Sequence, residues 1–517
     1  MASTKEFIEK ITASYSPKGE YIQLGSGVLG KEVITDAKVN LALKIMNRHG
    51  LIAGATGTGK TRTLQLIAEQ LSDKGVPVFM LDVKGDLSGL AEEGKTNDAL
   101  IERGKLVGIP FEPAQFPLEI CSLSGKLGAP MRITVQDFGP ILLARILDLN
   151  DTQTGVLSAI FKYAGDQQWE LIDFNDVKKL LIYLTDGPGA EDIKDDYGKI
   201  SSSSSGTILR KIVAVEQQGI AHIFGEKEFD IQDLFNKIDG RGVITLLNIS
   251  DIQDQPLVFS TFLLSLLAQL FKELPEVGDL DKPKLIFFFD EAHLLFNGAS
   301  KAFLSQVEQI VRLIRSKGVG VFFCTQAATD IPASVLGQLG NRVQHALRAF
   351  TPNDADNLRK TVKTYPYSPF YEIDKVLTSL GTGQALITVL NEKGIPTEVV
   401  ATHLVPARAV MGPCQSETYA KITRDSDFYD KYQERIERRS AAEIVDEKTA
   451  VFEANEEQEK ARKEAQKSMS RGSGRRSTRQ TPMEAAKTQA SRTLAREGAK
   501  LLGKLANGFL NALFKKK

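Results

Sequence analysis

Cysteine is scarce: Cys121, Cys324 and Cys414 are the three in 517 residues, and no two are close enough for a C-x-x-C pair. That excludes a thiolate zinc knuckle, and lone unpaired thiols set the expectation of a reducing, cytoplasmic setting. Histidine is as sparse. His49, His222, His293, His345 and His403 are scattered, which argues against a histidine metal centre. No run of 18 apolar residues is present, so no transmembrane helix is expected. Met1 to Lys18 lacks the apolar segment of a secretion signal. Neither sign of charge is in excess: Lys+Arg and Asp+Glu both number 65, so a nucleic-acid contact would have to come from a local patch. No internal repeat, helix-turn-helix or zinc finger is visible.

What is present is a globular composition, 42% hydrophobic and 25% charged. The length suits roughly two to four domains. The chain is organised around Gly54-Ala55-Thr56-Gly57-Thr58-Gly59-Lys60-Thr61, which fits the P-loop pattern G-x-x-x-x-G-K-[ST] without a mismatch. Gly50 to Ala53 reads as a short strand before it, and Arg62 to Leu71 has helical apolar spacing after it. In that setting the glycines let successive backbone N–H groups converge on phosphate oxygens, helped by the positive end of the helix. Lys60 would reach the β- and γ-phosphates of ATP, and Thr61 would offer its hydroxyl to Mg²⁺.

Three further strands read as continuous apolar runs with polar ends, the pattern of strands buried on both faces of a parallel sheet. Val76 to Asp82 ends in a carboxylate. Asp82 reads either as a turn carboxylate or as a group standing behind Mg²⁺ and the attacking water. Leu285-Ile286-Phe287-Phe288-Phe289-Asp290-Glu291 is the second strong signal. A strand ending in Asp-Glu downstream of a P-loop makes Asp290 the Mg²⁺ carboxylate and Glu291 the general base. Val319 to Gln326 ends in an amide that would sit beside the γ-phosphate and orient water. A cation facing that phosphate from across a subunit boundary would come from Arg312, Arg315 or Arg342. The first two also suit the negative end of the helix Lys301 to Arg315.

The expected fold class is α/β. Residues 1–413 form the P-loop ATPase domain, with an all-helical insert at about 137–235. Ser201 to Ser205 is expected to be a loop leading into a helix cap. Residues 414–483 form a charged linker, and 484–517 a basic amphipathic helix with Leu501, Leu505, Phe509 and Leu513 on one face. From Arg471 onward, Lys and Arg outnumber the two acids, Glu484 and Glu497. Such a tail suits DNA, an anionic membrane surface or a protein neighbour.

The wording of GATGTGKT, MLDVKGD, FFFDEAHLLF, LIRSKGVGVFFCTQ and LGQLGNRVQHALRAFTP resembles the bacterial HerA-like ATPases of the HerA/FtsK superfamily. The resemblance covers roughly residues 20–413. It implies a RecA-like core with a central, mostly parallel sheet, a homo-hexameric ring, ATP and Mg²⁺, and ATP-driven movement of double-stranded DNA. By motif it also implies that Arg315 acts in trans, that Gln326 is the sensor, and that Asp82 is the acid after the second core strand. HerA proper carries an N-terminal β-barrel that docks a nuclease. The 53 residues before Gly54 are expected to be too few for it. Two functions follow: a ring-forming DNA translocase or helicase, or an ATPase switching a protein or membrane partner through the insert and the tail.

Overall fold

The computed structural model describes residues 3–278, 280–296 and 301–471. The chain divides into two units, Met1–Thr449 and Ala450–Lys517. In the second, the described residues continue the helix Ala441–Arg471, with ladders such as Lys460 to Glu456 at 3.1 Å. The basic helix expected over 484–517 lies outside the described residues.

The first unit is built on a twelve-stranded sheet. Its centre is five parallel strands in the spatial order Asn341–Gln344, Gly50–Ala53, Val319–Thr325, Leu285–Phe289, Val78–Asp82. Taking these five in chain order as first to fifth, the arrangement is 5-1-4-3-2, the RecA-like order. The P-loop strand and the Asp290 strand are therefore separated by one strand, the one ending at Gln326. Beyond Val78–Asp82 the sheet continues in parallel through Ile244–Asn248, Leu118–Ser122 and Ala129–Pro130. Beyond Asn341–Gln344 it turns antiparallel through Gln384–Thr388, Val400–Leu404, Tyr21–Leu29 and Glu32–Ala42. The N-terminal residues thus form a hairpin that extends the edge of this sheet.

Both faces are covered, as the continuous apolar runs require. Phe287 and Phe289 point into one core with Phe79, Leu81, Val321 and Phe323. Ile286 and Phe288 point into the other with Val78, Met80 and Phe322. Phe79 stacks on Phe287 at 4.5 Å and Phe289 on Phe323 at 5.4 Å. Each such fully buried ring is worth about 1.5–3 kcal/mol of burial. The helix Pro256–Glu273 is long and apolar enough, by length and composition, to cross a membrane, and 61% of it is buried inside the fold. Core packing accounts for its composition. Thr261 and Ser265 return their hydroxyls to carbonyls one turn back, at 2.6 and 2.7 Å, so no polar group there is stranded.

Between the sheet strands Ala129–Pro130 and Ile244–Asn248 the chain is helical, with Asp151–Asp166, Phe174–Thr185 and Ser202–Gln217 the longest pieces. The serine run is the first turn of its helix rather than a loop. Ser201 is the cap, accepting from the Ser204 N–H at 3.2 Å. The packed body also does not stop near Pro413. Helices Ser416–Arg424 and Asp427–Tyr432 lie against it. Phe428 and Tyr432 are buried, with Phe428 edge-on to Phe229 at 5.6 Å and the Tyr432 hydroxyl donating to Asp233 at 2.6 Å. A few aromatic anchors hold down a segment whose average composition is that of a linker.

Candidate nucleotide site

The strand Gly50–Ala53 runs straight into the loop 54–59, and the helix Lys60–Asp73 leaves it. Two glycines are there for geometry. A Cβ on Gly54 would lie 2.5 Å from the His345 Cβ, and Gly59, the helix cap, has φ +108°. The loop is pinned from outside: Gly54 N–H donates to Thr325 O at 3.2 Å and Ala55 N–H to Ala346 O at 2.9 Å. Thr58 ties the loop to itself through Ala55 O at 2.7 Å. The Lys60 ammonium donates to the Gly54 carbonyl at 2.7 Å and the Ala55 carbonyl at 3.3 Å, so its charge is folded back over the start of the loop.

Asp290 and Glu291 arrive at the same sheet edge. Leu285–Phe289 pairs with the Gln326 strand, Phe289 opposite Phe323, and that strand pairs with the P-loop strand, Thr325 opposite Ala53. Two strand spacings put the acid pair about 10 Å across from the P-loop strand. The Asp290 residue is half-open, yet its carboxylate is enclosed. Burial and then the Glu291 charge raise its pKa, while the Lys60 ammonium pulls it back down. The two motifs therefore share one electrostatic pocket. Glu291 is held at φ +49°, an uncommon backbone state for a side-chain-bearing residue, of the kind that collects at working sites. Its Oε2 is buried without a hydrogen-bond partner. The His293 Nδ1 lies 3.4 Å away and becomes an ion-pair partner only when protonated.

This donor set fits Mg²⁺. One carboxylate, one hydroxyl and substrate phosphates are the hard, incomplete ligand set that ion takes in nucleotide sites. Among the described residues no group of three His, Cys, Asp or Glu forms a cage of its own.

Gln326 is exposed and lines a cavity of about 330 Å³ with Ala55, His293 and Arg348. Arg348 went unassigned in the sequence, because nothing local to it signals that its guanidinium, bonded to Thr378 O at 3.1 Å, shares a cavity with Ala55. His345 was equally invisible. It is buried under the loop, its backbone N–H on Ala53 O at 2.7 Å and its Nε2 2.8 Å from the Thr63 hydroxyl. Burial, then the Lys60 charge, lowers its pKa to about 4. Asp82 accepts the backbone N–H groups of Gly85, Asp86 and Leu87 at 2.8 to 3.1 Å. That is the turn-carboxylate geometry, and burial lifts its pKa to about 6.

Arg312, Arg315 and Arg342 are not at this edge. They line a cavity of about 470 Å³ with Arg48 and His49, where the parallel strands begin. Arg342 is tied to its own subunit through the carbonyls of Leu339 and Thr364, both at 3.3 Å. Among the described residues Arg312 and Arg315 make no ion pair.

A glycine-rich strand-to-helix loop, a lysine, a hydroxyl and an acid pair on the 5-1-4-3-2 sheet define a P-loop nucleoside-triphosphate-binding protein of RecA-like fold. A family model described as helicase HerA-like C-terminal matches residues 29–512, and the chain belongs to that family. It is 21% identical over 393 residues to the DNA double-strand break repair helicase HerA of Sulfolobus acidocaldarius, covering 71% of this chain and 68% of that protein. The protein of the same name from Sulfurisphaera tokodaii is also 21% identical, over 69% of this chain and 66% of its own. The chain thus spans about two thirds of the length of these relatives. Among solved structures, the bacterial conjugative coupling protein TrwBdeltaN70 aligns with TM-score 0.48 at 12% identity, over 75% of this chain and 95% of that one.

Proposed function

We propose that the chain hydrolyses ATP as a homo-hexameric ring and uses the cycle to move double-stranded DNA. The observation that carries this reading is the placement of Arg315. A seven-residue strand, Val319–Thr325, stands between it and Gln326. That length is about 23 Å, so Arg315 is out of reach of the phosphates in its own subunit. In the proposed ring it instead serves the phosphates of a neighbouring copy, so that each site is completed between copies.

Within one subunit, the loop amides and Lys60 hold the β- and γ-phosphates, and Arg348 adds a cation at the Ala55 end. Glu291, its Oε2 otherwise unpartnered, takes the proton of a water that Gln326 orients. Mg²⁺, held by Thr61 and Asp290, would neutralise charge on the β- and γ-oxygens. DNA as the track is supported by the family and by the names of the relatives. The test is the ATPase rate with and without linear double-stranded DNA at two salt concentrations. Stimulation that fades as salt rises is expected. A rate indifferent to DNA at both would overturn translocation and favour an ATPase switching a protein or membrane partner.

A further inference from the structure

Glu291 and His293 each bury a polar atom beside the other. Glu291 Oε2 and His293 Nδ1 are both closed to solvent, neither has a hydrogen-bond partner among the described residues, and 3.4 Å separates them. A donor and an acceptor buried without partners each cost free energy, and neither is open to a water that would relieve it. The arrangement that satisfies both places the ring proton on Nδ1 and aims it at Oε2. A shift of about 0.5 Å brings the pair to ordinary hydrogen-bond length.

The mounting beneath them is stiff. Ala292 N–H, between the two residues, donates at 2.8 Å to Cys324 O, near the Gln326 end of the neighbouring strand. Glu291 N–H donates to Asp290 Oδ1 at 2.9 Å, and Leu294 N–H to Glu291 O at 2.9 Å as the helix His293–Phe296 begins. These contacts accompany the φ of +49° at Glu291. What they leave free is the rotation of the Glu291 side chain, and with it the aim of the carboxylate. A base that swings spends little of its time in line with the water it must deprotonate. The His293 ring stands where it can stop that swing, on the wall of the cavity it shares with Ala55 and Gln326. Glu291 keeps 26% of its side chain open. An ionised carboxylate has about four lone-pair sites, so one bond from His293 leaves the others for water.

Resting on the reading that Glu291 is the general base, we infer that His293 is its positioning residue. The Nδ1–H donates to Oε2 and fixes the carboxylate toward the attacking water.

The test is ATP turnover by the full chain, with ATP affinity measured in parallel by calorimetry. His293→Ala should lower kcat about tenfold and leave ATP affinity within about twofold. His293→Asn puts an amide nitrogen the same number of bonds from the backbone as Nδ1, and should recover most of the loss. His293→Gln, whose amide stands one atom further out, should recover little. In single-turnover measurements on Glu291→Gln chains, adding His293→Ala should slow the reaction no further, because the group it aims is already gone. Four results would overturn the positioning role and leave the base reading standing: normal turnover by His293→Ala, Asn no better than Ala, a further tenfold loss on top of Glu291→Gln, or ATP affinity falling in step with kcat. If Glu291→Gln itself turns over at the normal rate, the base reading fails and the role of His293 falls with it.

Discussion

Replacing His345 by Gln should flatten the acid side of the protein's stability profile. The ring titrates near 6.5 in an unfolded chain and at about 4 beneath the P-loop, because burial and the Lys60 charge oppose its protonation. The unfolded chain therefore binds the proton more readily. The stability that His345 contributes is complete above pH about 6.5 and drains away as pH falls toward about 4. Fully developed, the difference is about 3 kcal/mol, of which about 2 kcal/mol is already lost at pH 5. Gln can keep a hydrogen bond to the Thr63 hydroxyl, now 2.8 Å from the imidazole, and cannot titrate. The assay is urea unfolding of both proteins from pH 8 to pH 4.5, followed through the difference between them. His49, whose pKa is also lowered to about 4, and Asp82, raised to about 6, are common to both and cancel. A difference that shrinks by about 2 kcal/mol between pH 8 and pH 5 is expected. One that stays constant would mean that His345 is not held neutral in the fold.

Glu291→Gln should bind ATP normally and hydrolyse it about 10²–10⁴-fold more slowly, as expected for loss of a general base; unchanged turnover would remove Glu291 from that role. Arg315→Ala should lose turnover as a uniform assembly and regain part of it when mixed with Glu291→Gln subunits, whereas no recovery in intact assemblies would count against action across a boundary. Arg348→Ala should lower turnover in every subunit that carries it, mixed or not, so its loss scales with the fraction of variant chains. Phe428→Ala removes a buried ring packed on Phe229 and should cost about 3–5 kcal/mol. Proteolysis near 416–432 should then speed up, and an unaltered cleavage rate would show that Phe428 is not the anchor.

The parts of the site that could be read in the sequence are those whose chemistry is local. A glycine-rich loop with its lysine, and an apolar strand with its acid pair, carry their context in adjacent residues. In the structure Gly54 to Thr61 follow the strand Gly50–Ala53 and open the helix Lys60–Asp73, and Asp290 and Glu291 follow the strand Leu285–Phe289. The parts that could not be read depend on contacts hundreds of residues apart. His345 lies under Thr63, and Arg103 clasps Gly383, only because Asn341–Gln344 comes to lie beside the P-loop strand and Gln384–Thr388 beside Asn341–Gln344. Asp82 was open to two readings because a carboxylate at a strand end serves a turn or a metal equally well. The three N–H groups it accepts identify the turn. Ser416–Tyr432 looked like linker because composition averages out single anchors such as Tyr419, whose hydroxyl accepts from Asn248 at 3.0 Å.

The strand Val319–Thr325 begins two residues after the turn Ile314–Lys317 that bears Arg315, and ends against Gln326. All seven of its residues are buried, and strands in parallel register flank it on both sides. A rod clamped in this way cannot stretch or buckle; it can only slide or tilt as a whole. Any displacement of the backbone at the Gln326 end would therefore carry the Arg315 end with it. If the proposed ring forms, that coupling would pass each turnover on to the adjoining site with no hinge needed to carry the message.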